Sequence, residues 1–408
     1  MQKSIKNRFQ DSLAYSYARE IRRCVQKALS NAREHSSRHR LVTLHPQIRP
    51  KGNVLFSYIL DGFLMDPETP IPKKHTNIWQ SVKMAKIFAD LGYAVDVISW
   101  TNNTFIPQKN YSFFVDVRHN LQRLTPFLNE DCIKIMHLDT ASIIFHNAAE
   151  AKRLLDVQSR RGITLRPRRF EMPNLGLEHA DYATSVGNDF TLDTFSYSKK
   201  KIFKVPTPCA ILKDFPNKNW ARCRNRFLWF SSSGLVHKGL DLALEAFARL
   251  PDCHLTICAP VERDDDFVRA YYKELYETPN INTVGWVDVE GDRFSEITAD
   301  CVAMLHLSCS EGGGTAVKTC MHAGLIPVVS YESGVDVDAF GCLLKDCSID
   351  NVIKTVSHIT TLSENELKKR ARNAWETARR LYTRENFARE YSRVIQQIIK
   401  EHNPRLCT

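Results

Sequence analysis

The sequence lacks the patterns that mark several large classes of protein. No Cys-x-x-Cys pair occurs among its 12 cysteines, and no G-x-G-x-x-G occurs among its 16 glycines. These absences argue against a zinc site built on paired cysteines and against a dinucleotide-dependent dehydrogenase. The sequence also has no run of about 18 apolar residues, so we predict no membrane-spanning helix.

The N-terminal region lacks the apolar stretch of a secretory signal. A chain of 408 residues buries enough apolar surface to fold without disulfides. We therefore expect reduced thiols and a cytoplasmic protein. With 43% hydrophobic and 25% charged residues the chain is globular, and its length predicts two domains at roughly 100–200 residues each.

The formal net charge of +10 is concentrated in two segments. Residues 1–45 hold ten Lys and Arg against three acidic residues, and residues 152–169 hold seven against one. An apolar residue at every fourth position predicts a helix over residues 10–30. This basic helix could contact an anionic membrane face peripherally, or it could pack on the body of the protein. No recognition motif accompanies the charge, so we expect no nucleic-acid partner.

The rest of the chain alternates between short apolar runs and amphipathic segments. Strands are predicted at 54–60, 94–100, 132–138, 179–187 and 201–206, and a Pro-containing stretch at 207–220 separates them from a second strand–helix series. This alternation predicts an α/β protein with ligands at the carboxyl ends of parallel strands. The predicted units are a basic helical extension (1–45), a Rossmann-like acceptor-side domain (46–210), a Rossmann-like donor-binding domain (211–375) and a C-terminal helix that packs back on the first domain (376–408).

The strongest chemical signal is a glycine-rich turn between a predicted strand and a predicted helix. Glu311 is followed by Gly312, Gly313 and Gly314, which we call the glycine turn, and the helix opens at Thr315. Glycines expose backbone N–H groups, and the helix start adds positive potential, so the segment can bind an anion. The alternative is a flexible turn without a ligand.

A second signal lies at 231–247. Small residues that include Ser233 and Gly234 follow a predicted strand, and Lys238 with Gly239 directly precedes a helix. A lysine at a helix start opposes the preference of the helix dipole for acidic side chains. The position makes sense if Lys238 binds a phosphate group, although a solvated loop lysine is the simpler alternative.

Together these segments resemble the donor-binding half of the retaining family 4 glycosyltransferases, which have the GT-B fold. The resemblance covers Phe227 to Lys345 and includes a V-G-W turn, S-x-x-E-G-G-G and A-G-L-I-P-V-V-S. It implies that Lys238 binds the donor diphosphate and that Glu311 contacts the transferred sugar. It further implies contacts from the glycine turn and Thr315 to sugar or phosphate, and backbone contacts from Trp286 and Val287 to the base.

The chain departs from the family pattern at two positions. Thr319 stands where the family has a second glutamate that binds the ribose, and a threonine hydrogen-bonds without the strength of a charge. The arginine that commonly precedes the lysine is also missing. The diphosphate would therefore need a contact from His237 or from a basic residue elsewhere in the fold.

The first domain should supply the acceptor side. His137 lies at the end of a predicted strand, where the resemblance places a histidine that faces the sugar, and His146 is the second choice. The first strand–helix loop contributes Lys74, His75 and Thr76. An anionic acceptor could bind a basic loop that could instead be solvated surface; its arginines are Arg160, Arg161, Arg166, Arg168 and Arg169.

These observations predict a glycosyltransferase that moves a sugar from a nucleoside diphosphate sugar to a hydroxyl of a glycan or lipid-linked glycan. The resemblance implies retention of configuration, and His137, Lys238 and Glu311 are the predicted catalytic residues. The resemblance implies no metal or other cofactor, and the acidic run at 264–266 directly precedes a predicted helix, where acidic residues suit the dipole. The alternatives are a GT-B binding partner without activity and a sugar-nucleotide epimerase, which would need paired acid–base groups.

Overall fold

The computed structural model describes residues 38–66, 68–73 and 76–402. The basic helix predicted over residues 10–30 lies outside these ranges, as do Lys74 and His75. The described chain contains two sheets, one of seven strands and one of six. No helix within the described ranges has the length and apolar character needed to cross a bilayer.

The first sheet has the order β1-β3-β2-β4-β5-β6-β7. All of its pairings are parallel except that of β1 with β3, which is antiparallel. Its strands are β1 (Leu41–Leu44), β2 (Asn53–Tyr58), β3 (Ala94–Ser99), β4 (Phe113–Asp116), β5 (Ile133–Leu138), β6 (Tyr182–Ser185) and β7 (Lys201–Lys204). The sheet thus begins within the residues predicted to form the extension.

In the described ranges, five helices lie between the strands of the first sheet. The longest ends at Gly162, whose left-handed conformation (φ 67°) suits a helix C-terminus. The helices are α1 (Thr76–Asp90), α2 (Asn120–Leu124), α3 (Ile143–Arg161), α4 (Gly176–His179) and α5 (Asp189–Asp193). Apolar clusters cover both faces of the sheet, as expected of parallel strands.

The second sheet is entirely parallel and has the order β10-β9-β8-β11-β12-β13. Its strands are β8 (Arg226–Phe230), β9 (His254–Cys258), β10 (Ile281–Thr283), β11 (Ala303–His306), β12 (Ile326–Ser330) and β13 (Cys342–Leu344). The helices of this half are α6 (Trp220–Cys223), α7 (Leu240–Phe247), α8 (Asp265–Ala270), α9 (Tyr272–Tyr276), α10 (Asp292–Asp300), α11 (Thr315–His322), α12 (Ile349–Thr361) and α13 (Glu364–Leu381).

The last described helix, α14 (Arg384–His402), returns to the first sheet. Its buried face joins the apolar cluster that also contains Phe56 and Ile135, and it contacts α1. Helix α13 remains with the second half, because Ala374 and Ala378 pack in a cluster of the second sheet. The crossover therefore lies between Leu381 and Arg384.

Two features differ from the sequence-based expectations. Strands β1, β4 and β13 were not predicted, and each has only three or four residues. The single helix predicted to follow the acidic run at 264–266 is two helices, α8 and α9, because the backbone leaves the helical region at Tyr271 (φ −120°, ψ 23°). The Tyr271 ring is buried and stacks on Phe267, which fixes this break.

Candidate functional site

The glycine turn lies where the two halves of the molecule meet. It connects β11 to α11, and Gly314 begins the helix in the left-handed region (φ 53°). A Cβ on Gly312 would lie 2.3 Å from the backbone oxygen of Asp139, which belongs to the other half. The absence of a side chain therefore allows the turn to contact the end of β5.

First-half side chains hold the glycine turn by hydrogen bonds. Thr207 Oγ1 donates to the backbone oxygen of Gly313 at 2.9 Å, and Thr191 Oγ1 donates to that of Glu311 at 3.2 Å. Thr207 in turn accepts from Lys318 Nζ at 2.7 Å. Burial lowers the pKa of Lys318 to about 8. Sequence reasoning missed this lysine, since one cationic residue in an otherwise mixed helix carries no signal.

Lys238 and Glu311 form an ion pair beside this turn. Their Nζ and Oε1 atoms are 3.1 Å apart, and only 11% and 16% of the two side chains is exposed. Ser308 Oγ donates to the same carboxylate at 3.2 Å. Burial alone would raise the pKa of Glu311, but the Lys238 ammonium and the nearby His306 hold it well below its ordinary value. Glu311 is thus ionised at neutral pH.

The start of helix α7 positions Lys238. Gly239 is the N-cap in the left-handed region (φ 73°), and a Cβ there would lie 2.5 Å from the backbone oxygen of Leu307. Neither α7 nor α11 receives a capping hydrogen bond from the side chain of its N-cap, since both N-caps are glycine. Two helix starts whose N–H groups have no side-chain cap therefore flank the Lys238–Glu311 pair. Such N–H groups favour the binding of an anion.

A polar cluster of His146, Glu150 and His237 joins the two halves next to this pair. The two imidazole rings are 4.6 Å apart, and His237 Nδ1 lies 3.8 Å from Glu150 Oε2. His146 Nε2 donates to the backbone oxygen of Arg169, and His237 Nε2 donates to that of Ser310, both at 2.7 Å. The cluster thus connects helix α3 to the loops of the second half that contain His237 and Ser310.

This cluster is a group in the described chain that could hold a metal ion, because one ligand atom from each residue lies within 4.8 Å of the others. Its groups are already satisfied by protein partners. Glu150 accepts from the backbone N–H groups of Arg168 and Arg169 at 2.8–3.0 Å. Burial and the neighbouring His237 lower the pKa of His146. A hydrogen-bonded interface explains the cluster without an ion.

His137 lies away from the site. Strand β5 points Ile133, Ile135 and His137 to the face that α14 covers, because alternate residues of a strand share a face. The ring is fully buried, and its nitrogens contact Gln80 Nε2 and Thr184 Oγ1, both at 2.8 Å. Burial lowers its pKa to about 4. This environment favours a neutral structural residue, although the catalytic role stays a prediction, and His146 lies nearer the contact between the two halves.

The arginines predicted to bind an anionic acceptor mostly pair with carboxylates of the second half. Arg160 bonds Asp241 at 2.7 Å and Arg161 bonds Glu274 at 2.7 Å. Arg168 bonds Asp266 at 2.8 Å, and the more exposed Arg166 lies 3.9 Å from the same carboxylate. Guanidinium groups paired with acidic residues favour a contact between the halves over a free anion site, while the acceptor role of these arginines stays a prediction. The pairing also accounts for the acidic run at 264–266.

Arg169 differs from the other four. Its guanidinium forms no hydrogen bond or ion pair with any residue in the described ranges, and its Nε is buried without a partner. Its methylene groups contact the loop before Lys238, since a Cβ on Gly234 would lie 2.5 Å from Arg169 Cγ. The structure thus brings a cation from the first half to the Ser233–Gly234 loop.

The remaining predicted residues lie on the second half. Thr319 Oγ1 donates to the backbone oxygen of Thr315 at 2.9 Å, one turn earlier in α11. Trp286 and Val287 follow β10; the tryptophan is 56% exposed, and the valine is buried against the second sheet. Thr76 begins α1.

Sequence reasoning also missed a partly buried ion cluster at the ends of β4 and β5. Arg118 donates to Asp139 and lies 3.1 Å from Glu171. These carboxylates raise the pKa of Arg118 even though burial opposes the shift, and burial together with Asp139 raises that of Tyr58. Asp139 follows a predicted strand directly, and that position is the one signal that could have indicated it.

No protein-family model matches the chain, and no curated protein is similar to it in sequence. The fold has clear relatives among solved structures. A sucrose-phosphate synthase of Thermosynechococcus elongatus aligns with a TM-score of 0.57 at 13% identity, over 86% of this chain and 100% of that one. WaaG, a glycosyltransferase of lipopolysaccharide biosynthesis, gives 0.52 at 14% identity, over 84% and 99%.

HepE of Anabaena, solved with UDP and glucose, gives 0.51 at 11% identity, over 86% of this chain and 100% of that one. The chain spans 55% of the length of Staphylococcus aureus TarM, at a TM-score of 0.47. At these identities the likeness concerns architecture, and it confirms the predicted GT-B fold of two Rossmann-like domains.

Proposed function

We propose that this chain transfers a glycosyl group from a nucleoside diphosphate sugar to a hydroxyl acceptor of a glycan or lipid-linked glycan. The observation that carries the proposal is the Lys238–Glu311 pair, 3.1 Å apart beside the glycine turn. The fold shared with HepE, which binds UDP and glucose, supports it.

Lys238 and the two helix starts would hold the donor diphosphate. When the bond between the sugar and the phosphate oxygen breaks, negative charge develops on the departing diphosphate. A buried ammonium and backbone N–H groups fixed in advance stabilise that charge without reorganising. The start of α11 supplies backbone groups at Thr315, and the Gly239 cap brings Lys238 to the same place.

Glu311 would position the transferred sugar. Its low pKa keeps it a carboxylate, which accepts hydrogen bonds from sugar hydroxyls. This carboxylate pairs with Lys238, so donor binding would exchange one ion pair for contacts to diphosphate and sugar. Retention of configuration is part of the proposal and rests on the sequence resemblance.

Arg169 would supply the second cationic side chain that the loop before Lys238 lacks. It reaches the Gly234 side of that loop from the first half, and its guanidinium has no carboxylate partner in the described ranges. A diphosphate bound between the halves would then have Lys238 on one side and Arg169 on the other. Closure of the halves would complete the site, and that aligns donor and acceptor.

Trp286 and Val287 would contact the base through their backbone, and Thr319 would face the ribose. The Thr319 hydroxyl donates its proton within the helix, so its oxygen can still accept from a ribose hydroxyl. This arrangement requires no metal, because cationic and backbone groups supply the positive charge.

Nucleotide binding in EDTA tests the proposal. Purified protein is heated with UDP, GDP, ADP, TDP or CDP, and Lys238→Ala and Arg169→Ala are compared with wild type. Lys354→Ala, an exposed lysine of α12, is the matched control. A ligand at 100 times its Kd stabilises the folded state by about 2.7 kcal/mol. We expect one nucleotide to stabilise wild type and the control but neither site variant.

Product formation completes the test. With the matching nucleotide sugar, wild type should release nucleoside diphosphate only when an acceptor is present. If no nucleotide stabilises the protein, the substitution at Thr319 has removed donor binding, and the chain is a GT-B partner without activity. If nucleotide binds but sugar is altered without any acceptor, the epimerase alternative replaces the transferase.

A further inference from the structure

A cavity of about 660 Å³ opens in the first half next to the proposed sugar site. It lies at the carboxyl ends of β4 and β5 and at the start of α3. Asp139 and Thr140 line its inner end, and the backbone of Asp139 touches Gly312 of the glycine turn. The volume is in the ordinary range for small-molecule sites, so a ligand in the cavity would reach the place where the sugar is transferred.

The walls of the cavity are predominantly hydrophobic. Twelve of the twenty lining residues are apolar or aromatic. A cavity shaped for a free oligosaccharide would instead present hydrogen-bonding groups to many hydroxyls, because buried sugar hydroxyls without partners are unfavourable. At the inner end Arg118 pairs with Asp139, and further polar groups, Gln122 and Glu178, lie beside Leu175 and Tyr197.

The rim continues this apolar surface into solvent. Ile144 is 68% exposed, Tyr197 is 61% exposed and Leu175 is 51% exposed, and all three line the cavity. Met172, next to the lining residue Pro173, is 77% exposed. Clustered exposed apolar side chains of this size mark binding surfaces, whereas single ones are ordinary. The rim therefore presents an apolar surface to solvent beside the exposed Glu178.

We infer that this cavity binds the hydrocarbon chain of an amphiphilic acceptor, with the hydroxyl-bearing head at Asp139 and the chain passing Ile144 and Leu175 to the rim. The inference rests on the proposed function, since the head is the acceptor of the transferred sugar. Asp139 accepts a hydrogen bond from the head hydroxyl, and the apolar walls shield the chain from water. The substrate class is thus a lipid-linked acceptor and not a free, water-soluble glycan.

The direct test is a chain-length series measured without nucleotide. Methyl, hexyl and octyl β-glucosides are titrated by calorimetry below their micelle concentrations. Each added methylene should lower Kd about fourfold if the chain is fully buried. We expect this dependence in wild type. Ile144→Ser and Leu175→Ser, both at exposed positions that tolerate a small polar side chain, should flatten it.

Leu155→Ser is the matched control, because Leu155 lies on the same helix α3 and is 62% exposed but does not line the cavity. It should keep the wild-type dependence. An affinity that is equal for all three glucosides, or a dependence that Leu155→Ser weakens as much as Ile144→Ser, overturns the inference. A change of oligomeric state in Ile144→Ser with unchanged glucoside affinities would assign the surface to contacts between copies and also overturn it.

The two proposals fail in different ways. Stabilisation by a nucleotide in a Lys238-dependent manner, with no chain-length dependence, refutes the lipid acceptor and leaves the transferase standing. A chain-length dependence that only the cavity variants weaken, with no nucleotide bound, supports the apolar cavity and refutes the transferase.

Discussion

Arg160, Arg161 and Arg169 show how much a charged residue's role depends on the partners that the fold brings to it. All three belong to one basic loop in the sequence, and nothing local distinguishes them. The structure gives the first two a carboxylate from the second half and leaves the third without one in the described ranges. Sequence alone predicted the loop's charge, but not its distribution between a domain contact and a candidate binding site.

His137 illustrates the same limit with a testable consequence. A histidine at a strand end can be a site residue or a buried structural one. The alternation of the strand assigns it to one face of the sheet, but its burial depends on the helix that covers that face. The helix that covers this face begins 247 residues further along the chain, at Arg384. Local sequence patterns contain no information about that contact.

Burial of neutral His137 should make stability depend on pH. Its pKa falls from about 6.5 in the unfolded chain to about 4 in the folded one, so the unfolded state binds the proton first as pH drops. Stability is then fully present above pH ~6.5 and is lost toward pH ~4, by about 2 kcal/mol at pH ~5 for this group alone.

Urea unfolding of wild type, His137→Gln and His254→Gln at pH 7.5 and 5 measures this effect. His254 is exposed on β9 and serves as the control. The difference in unfolding free energy between the two pH values should shrink in His137→Gln and stay at the wild-type value in His254→Gln. An equal pH dependence in all three proteins would show that His137 is protonated or solvated in the folded state.

At the scale of elements, the second half was easier to predict from sequence than the first. Compact apolar runs, each followed by a polar or small-residue turn, predict strands at 226–232, 254–260, 302–308 and 326–331. These ranges contain β8, β9, β11 and β12. Strands β1, β4 and β13 were missed, and their length does not explain it, because the predicted strands β6 and β7 are equally short. The GT-B architecture was therefore predictable, whereas β4 inside the first sheet and the edge strands β1 and β13 were not.

The glycine turn was predictable as an element, but the reason for its glycines was only partly so. The sequence suggested exposed backbone for an anion, whereas the structure adds close packing against Asp139 of the other half. We therefore expect Gly312→Ala to act on closure of the halves. Its Cβ would lie 2.3 Å from a backbone oxygen, which cannot move as a flexible side chain would.

Gly312→Ala should lower kcat/KM about 100-fold, because misplacement by about 1 Å has that effect on aligned reactants. Small-angle scattering should show a larger radius of gyration than wild type, while circular dichroism stays the same. Gly291→Ala is the control, since a Cβ there meets its nearest atom at 3.4 Å. Full activity of Gly312→Ala in a compact molecule would mean that the two halves do not approach this closely in solution.

For the whole molecule, the last helix makes the fold of the first half depend on the end of the chain. Phe387, Tyr391 and Ile395 of α14 are fully buried in the cluster that covers the first sheet. Phe387 also packs edge-on against Trp79 of α1. In the described ranges, no residue of α14 belongs to the apolar clusters of the second sheet. Removing α14 therefore uncovers one domain selectively.

A chain that ends at Thr383 should lose the cooperative stability of its first half and keep that of its second. Burying three such side chains contributes on the order of 5 kcal/mol, comparable to the whole stability of a domain. Hydrogen exchange should then show fast exchange in β2 and wild-type protection in β8, whereas removal of residues 403–408 alone should change neither strand. Equal loss of protection in β2 and β8 would mean that the two halves unfold as one unit, and that the contacts across the cleft, rather than the crossover helix, set the stability of the molecule.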